Sequence, residues 1–168
     1  MYRILFVCTG NICRSPMAEY LLKNLIKREY LKKLAEVESA GTGALENHPV
    51  AEFTATVCKK FGIDPTLHRA RSITLDMVST ADLILCMALS NKLDLVKIFP
   101  HFQNKIFLLK QFARKNDTAF HSIEDPYGSL KEDYEKTFLE IKEELFRIWP
   151  EVTHRIEEKW LIENMNRR

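Results

Sequence analysis

The stretch VCTGNICRSPMAEYLL, residues 7–22, places two thiols and a guanidinium within seven positions, Cys8 to Arg14. Between Cys8 and Arg14 lie Thr9, Gly10, Asn11, Ile12 and Cys13. An apolar run precedes this loop, and a helical pattern opening at Ser15-Pro16 follows it. A helix N-terminus leaves backbone N–H groups unpartnered and carries partial positive charge. A small-residue loop feeding such a terminus is an anion site, sized for a phosphate-like oxyanion. Arg14 adds a planar fork able to hold two oxygens. The field that favours a bound anion also favours a thiolate at Cys8. A thiolate beneath a held phosphoryl group is placed for in-line attack. The chemistry implied is phosphoryl transfer to sulfur, then hydrolysis, with charge stabilised by Arg14 and the amides and no metal required.

The flanking elements suit that role. Arg3 to Val7 is mostly apolar with little alternation, the pattern of a strand buried on both faces. From Ser15 onward, Met17, Leu21, Leu22, Leu25 and Ile26 form a helical stripe, with Pro16 near its start. Further strands are predicted over 34–39, 82–87 and 105–109. Helices are predicted over 49–61, with Pro49 in the first turn and Gly62 as the stop, and over 89–98 and 130–148. Residues 151–168 continue an amphipathic pattern beyond Pro150 as a helical extension. The alternation predicts an α/β fold: a three-layer sandwich with a central, mostly parallel four-stranded sheet of flavodoxin/Rossmann type, flanked by helices. Such sheets bind ligands at strand carboxyl ends near a topological switch point, and the Cys8 loop sits at one such end.

Composition narrows the class. The 168 residues predict a single domain, and their 46% apolar share is enough for a packed core. A net charge of +2, without a Lys/Arg stripe, argues against nucleic-acid binding. No apolar run approaches the ~20 residues of a bilayer span. The opening MYRILFVCTGN lacks the form of a signal peptide, so the chain reads as cytoplasmic, where thiols stay reduced. The four cysteines form no CxxC pair and no HxxxH or HExxH accompanies them, so no metal is expected. Cys58, on a predicted helix, and Cys86, on a strand, read as core. Asp125, opening the turn DPYG, is the acid best presented to a cleft; on its residues alone it is equally a turn or cap residue.

VCTGNICRSPMAE closely resembles the signature of the low-molecular-weight protein tyrosine phosphatases. The similarity continues through SAGTGA (39–44), HRAR (68–71), ADLILCM (81–87) and EDPYG (124–128), and covers roughly residues 2–148. The resemblance implies a cofactor-free enzyme, with Cys8 as nucleophile, Arg14 and the loop from Thr9 to Cys13 holding phosphate, and Asp125 as general acid. It also implies that Ser15, Ser39 and His68 hold Asn11 in place, and that Ser15 eases departure of the thiolate. Cys13 would form a disulfide with Cys8 under oxidant, guarding it from over-oxidation. The remaining histidines, His48 among them, show no comparable context. The implied partner is a phosphorylated protein, met by a monomer that also binds phosphate and similar oxyanions.

Within that resemblance the branch is open. An arsenate reductase needs a further close cysteine pair, and Cys86 has none. The arginine phosphatase branch resembles the later half, EDPYGS and YEKTFLEIKEEL, and carries Thr where this chain has Ile12. A branched alkyl group narrows the pocket and suits a flat aryl ring, so Ile12 favours phosphotyrosine. With Leu45 where the family often has an aromatic, Tyr127 is the expected aromatic part of the substrate wall. A phosphate-binding module without turnover is the remaining alternative, opposed by the intact set of Cys8, Arg14 and Asp125.

Overall fold

The structure, a computed structural model, describes residues 1–114 and 121–165. The end of the predicted tail, residues 166–168, lies outside them. Four strands, β1 (Tyr2–Cys8), β2 (Ala35–Gly41), β3 (Leu83–Cys86) and β4 (Ile106–Leu108), form one sheet in the order β2-β1-β3-β4. Every pairing is parallel, with Cys8 opposite Gly41 and Val7 opposite Cys86. The helices are α1 (Arg14–Arg28), α2 (Glu52–Lys60), α3 (Leu75–Thr80), α4 (Leu89–Ile98) and α5 (Lys131–Met165).

The lack of alternation in β1 has its cause in two cores. Ile4, Phe6 and Cys8 join Met17, Leu22, Phe138, Ile141 and Leu145 on the α1/α5 side. Leu5 and Val7 join Val78, Ile84, Cys86 and Leu95 on the α3/α4 side. Burial on both faces removes the polar positions of an amphipathic strand. The result is the expected three-layer α/β sandwich. From β1 the chain first crosses to β2 on one side and later to β3 on the other, so the switch point lies at the carboxyl end of β1, at Cys8. No helix among the described residues is long and apolar enough to cross a membrane.

One expectation needs correction, and at two further places the structure goes beyond the prediction. The second helix begins at Glu52, leaving Pro49 outside it. Ala51 has an extended backbone, φ −58° and ψ 145°, which rules out helix before Glu52, and its N–H donates to the Ile12 carbonyl at 3.0 Å, docking this segment on the Cys8 loop. The short α3 and a 3-10 turn at Pro100–Lys105 carried too few residues for a periodic signal. Finally, α5 runs unbroken through Pro150. Proline there removes one hydrogen bond, to the carbonyl of half-exposed Phe146, where water can replace it. Val152 and Ile156, beyond the proline, are buried in the α1/α5 core.

Candidate active site

The Cys8–Arg14 loop joins β1 to α1. Cys13 caps α1 without a side-chain hydrogen bond, and the first turn holds no acid, so the terminal N–H groups are left for a ligand. Close packing shapes the loop's other edge. Thr42 N and Gly43 N donate to the carbonyls of Cys8 and Thr9 at 2.9 and 3.0 Å. A Cβ on Gly41 would come within 2.3 Å of the Thr9 carbonyl oxygen, so only glycine allows this approach.

Asn11 is the keystone of the loop. Its backbone is left-handed, φ 55°, a conformation asparagine tolerates. Its Nδ2 donates to Ser15 Oγ at 2.9 Å and Ser39 Oγ at 2.8 Å. Its Oδ1 accepts from Arg71 N at 3.0 Å, and its carbonyl accepts from His68 Nε2 at 2.8 Å. Asn11, Ser15 and Ser39 are fully buried. Behind them Glu19, also buried, accepts from Ser39 Oγ and Lys23 Nζ and lies 3.7 Å from His68 Nδ1. Burial pushes the His68 imidazole below its ordinary range, against the opposing pull of the Asn11 carbonyl and Glu19.

The thiols differ. Cys8 Sγ accepts from Asn11 N at 3.2 Å and lies 3.0 Å from Ser15 Oγ. Cys13 Sγ lies 3.8 Å from the Tyr134 hydroxyl, and burial pushes its thiol up to about 11. Both are free thiols, as are Cys58 and Cys86 in the core. Burial also pushes Cys58 and Cys86 up, and Cys86 feels Cys8 and Lys92 as smaller influences.

Arg14 is almost entirely buried. Nη1 donates to the Ile123 carbonyl at 3.1 Å, and Nη2 pairs with Asp125 Oδ2 at 2.6 Å. Its Nε is a buried donor with no partner among the described residues, a position an anion would satisfy. Asp125 reaches it from a turn in which Asp125 Oδ1 accepts from Tyr127 N at 3.3 Å. Ile123 N bonds the Met87 carbonyl at 2.7 Å, tying this segment to the end of β3.

Above the loop opens a cleft of about 260 Å³. Ile12, Leu45, His48, Asp125 and Tyr127 wall it, and Cys8 and Arg14 lie at its base. A larger open groove, about 680 Å³, runs along β2 but contains none of the loop from Cys8 to Arg14. The structure thus brings all the predicted site residues together. It corrects the reading of His48, which lines the cleft. It adds Glu19, Arg71 and Asn91, whose Nδ2 donates to Thr9 Oγ1 at 3.2 Å. Glu19 left a trace in the sequence as an acid one turn after Ser15 on the stripe of Met17 and Leu22, and Arg71 as the last residue of HRAR. No group of three or more metal-ligating side chains occurs among the described residues.

A strand-to-helix loop at this switch point that carries a cysteine and an arginine, with an opposed carboxylate, has known counterparts. The sequence model of the family described as low molecular weight phosphotyrosine protein phosphatase matches residues 3–159. The chain belongs to this family. A protein-arginine-phosphatase of Geobacillus stearothermophilus is 40% identical over 79% of this chain and 84% of its own. The low molecular weight phosphotyrosine protein phosphatase of Gallus gallus is 36% identical over 80% and 85%. The crystal structure of a low molecular weight protein tyrosine phosphatase from T. tengcongensis superposes with a TM-score of 0.82, at 38% identity, over 90% of this chain and 99% of that one. This phosphatase is therefore an enzyme, which removes the ground for a phosphate-binding module without turnover.

Proposed function

We propose that the phosphatase hydrolyses phosphotyrosine on proteins through a phosphocysteine intermediate, without metal or cofactor, as a cytoplasmic monomer. The observation that carries this reading is the cleft itself: Cys8 and Arg14 at its base beneath a wall containing Ile12, Leu45 and Tyr127. An apolar wall above an anion loop fits an aryl phosphate.

In the reaction, the substrate phosphoryl displaces Asp125 from Arg14 Nη2 and takes up the guanidinium and the loop amides. The Cys8 thiolate attacks phosphorus as the P–O bond to the aryl group breaks. Asp125, protonated once released, gives its proton to the leaving oxygen. The resulting carboxylate then takes a proton from water, which attacks phosphorus and breaks the S–P bond. Ser15 Oγ and Asn11 N receive the returning thiolate, and inorganic phosphate leaves. Peroxide would join Cys8 and Cys13: two thiols lose two electrons and two protons, and peroxide becomes two waters. Cys13 must first turn away from Tyr134.

Phosphoarginine is the second reading, favoured by the protein-arginine-phosphatase at 40% identity. An arsenate reductase would need a cysteine to carry a disulfide outward, and Cys86 is fully buried. The test compares phosphotyrosine and phosphoarginine peptides for the wild type, Ile12→Thr and Cys8→Ser. The expected result is turnover of phosphotyrosine by the wild type, a shift toward phosphoarginine in Ile12→Thr, and no turnover by Cys8→Ser. Wild-type preference for phosphoarginine would overturn the substrate assignment. Full activity in Cys8→Ser would overturn the mechanism.

A further inference from the structure

His48 stands at the rim of the cleft, beside Leu45 and Tyr127, and the proposed chemistry does not use it. Its ring orientation is fixed by Nδ1, 2.9 Å from the Pro49 carbonyl oxygen. A carbonyl oxygen only accepts, so Nδ1 carries the proton. In the neutral ring Nε2 is then a hydrogen-bond acceptor, with no partner among the described residues. The loop beneath is equally held. Asn47 adopts φ 63°, its N–H donates to the Ala70 carbonyl at 2.9 Å, and Ala70 N donates to the His48 carbonyl at 2.8 Å. Two neighbours of Ala70, His68 and Arg71, bond directly to Asn11. The acceptor is therefore positioned relative to the phosphate loop through a short run of hydrogen bonds.

We propose that His48 is a specificity-determining residue: its Nε2 accepts a hydrogen bond from the substrate main-chain N–H of the phosphorylated residue or of the residue after it. This rests on the aryl-phosphate reading above. A phosphotyrosyl side chain presents acceptors at its phosphoryl group and no donor on its ring. The first donors that reach the rim are the backbone N–H groups of the peptide. A lone pair fixed at the rim discriminates a peptide from a small aryl phosphate, which has no such donor.

The test measures kcat and KM for the wild type, His48→Phe and His48→Gln. Three substrates are needed: a phosphotyrosine peptide, the same peptide N-methylated at either position, and 4-nitrophenyl phosphate. In His48→Phe the ratio of peptide KM to 4-nitrophenyl phosphate KM should rise about fivefold, the scale of one net hydrogen bond. His48→Gln, which keeps a carbonyl acceptor at similar reach, should recover most of the loss. N-methylation should raise the wild-type KM by a comparable factor and leave His48→Phe indifferent. An unchanged ratio, or a His48→Phe enzyme still sensitive to methylation, overturns the proposal. A parallel loss on all substrates in both variants also overturns it, since the residue would then only support the loop. Absence of 4-nitrophenyl phosphate turnover in the wild type is a different failure: it removes the aryl-phosphate reading itself.

Discussion

The two sides of Arg14 are built in opposite ways. On one side, β1, α1, β2 and the 68–71 segment converge on Asn11, and Asn11, Ser15, Ser39, Glu19 and His68 are buried and mutually bonded. On the other, Asp125 stands on a surface turn with 46% of its side chain exposed, held by Arg14 and by the Tyr127 amide. Buried polar groups cost free energy unless every one is satisfied, so the first side has one workable arrangement. Solvent reaches the pair only from the side of half-exposed Asp125, so the carboxylate can move off into water while the buried Arg14 stays in place to receive another anion. The difference matches the proposed tasks. A loop that must hold a phosphoryl group in line benefits from rigidity, whereas an acid that must leave Arg14 when phosphate arrives benefits from a weak hold.

The largest effect should come from the loosely held side. Asp125→Asn removes the proposed proton donor, and kcat on a phosphotyrosine peptide should fall by roughly 10²–10⁴-fold. The same change removes the carboxylate that competes for Arg14 Nη2, so inorganic phosphate should inhibit Asp125→Asn about two- to fivefold more tightly than the wild type. Weaker inhibition would show that Asp125 does not compete with phosphate and would break the comparison. Denaturant stability should fall by roughly 1 kcal/mol, because the buried Arg14 guanidinium loses its charged partner while the amide keeps an acceptor there.

Asn11→Ala is the complementary probe on the buried side. It leaves Ser39, Ser15 and the Arg71 amide short of a partner and puts a non-glycine residue without a polar side chain at φ 55°. The expected stability loss is about 1–3 kcal/mol, measured by urea denaturation. Loss of activity without loss of stability would contradict a loop held by its network.

The sequence disclosed what was local. The Cys8-to-Arg14 spacing, the apolar runs at β1 and β3 and the stripe of α1 each sit within one short segment, where periodicity and spacing act. The support around Asn11 is assembled from residues 11, 15, 19, 39, 68 and 71, and nothing in the chain order announces that they meet. Ser15, Ser39 and His68 were reached only through resemblance to a family. His48 was invisible because its position depends on a backbone exchange with Ala70. The start of α2 lies later than the pattern predicts for a related reason: Ala51 is extended where it docks on the Ile12 carbonyl, a contact across the fold that the pattern around Pro49 does not show.

The smallest predicted effect sets the buried side against the exposed one through pH. Burial raises Cys13 from 9.0 to about 11 and Cys58 from 9.0 to about 12, so the folded state holds these protons more tightly than the unfolded chain. A raised pKa gives stability that is complete below pH 9 and lost as pH climbs through the folded values. The melting temperature should therefore decline above pH 9, and Cys58→Val, which removes one such thiol from the core, should show a shallower decline. The difference between the two curves should be on the order of a few degrees. Asp125→Asn should flatten the curve only slightly, because the Asp125 charge is a minor cause beside burial of the raised Cys13 thiol. A Cys58→Val curve parallel to the wild type would mean that the thiol stays protonated in both states over that range. The alkaline loss would then have to come from other raised groups on the same side, Tyr134 first among them.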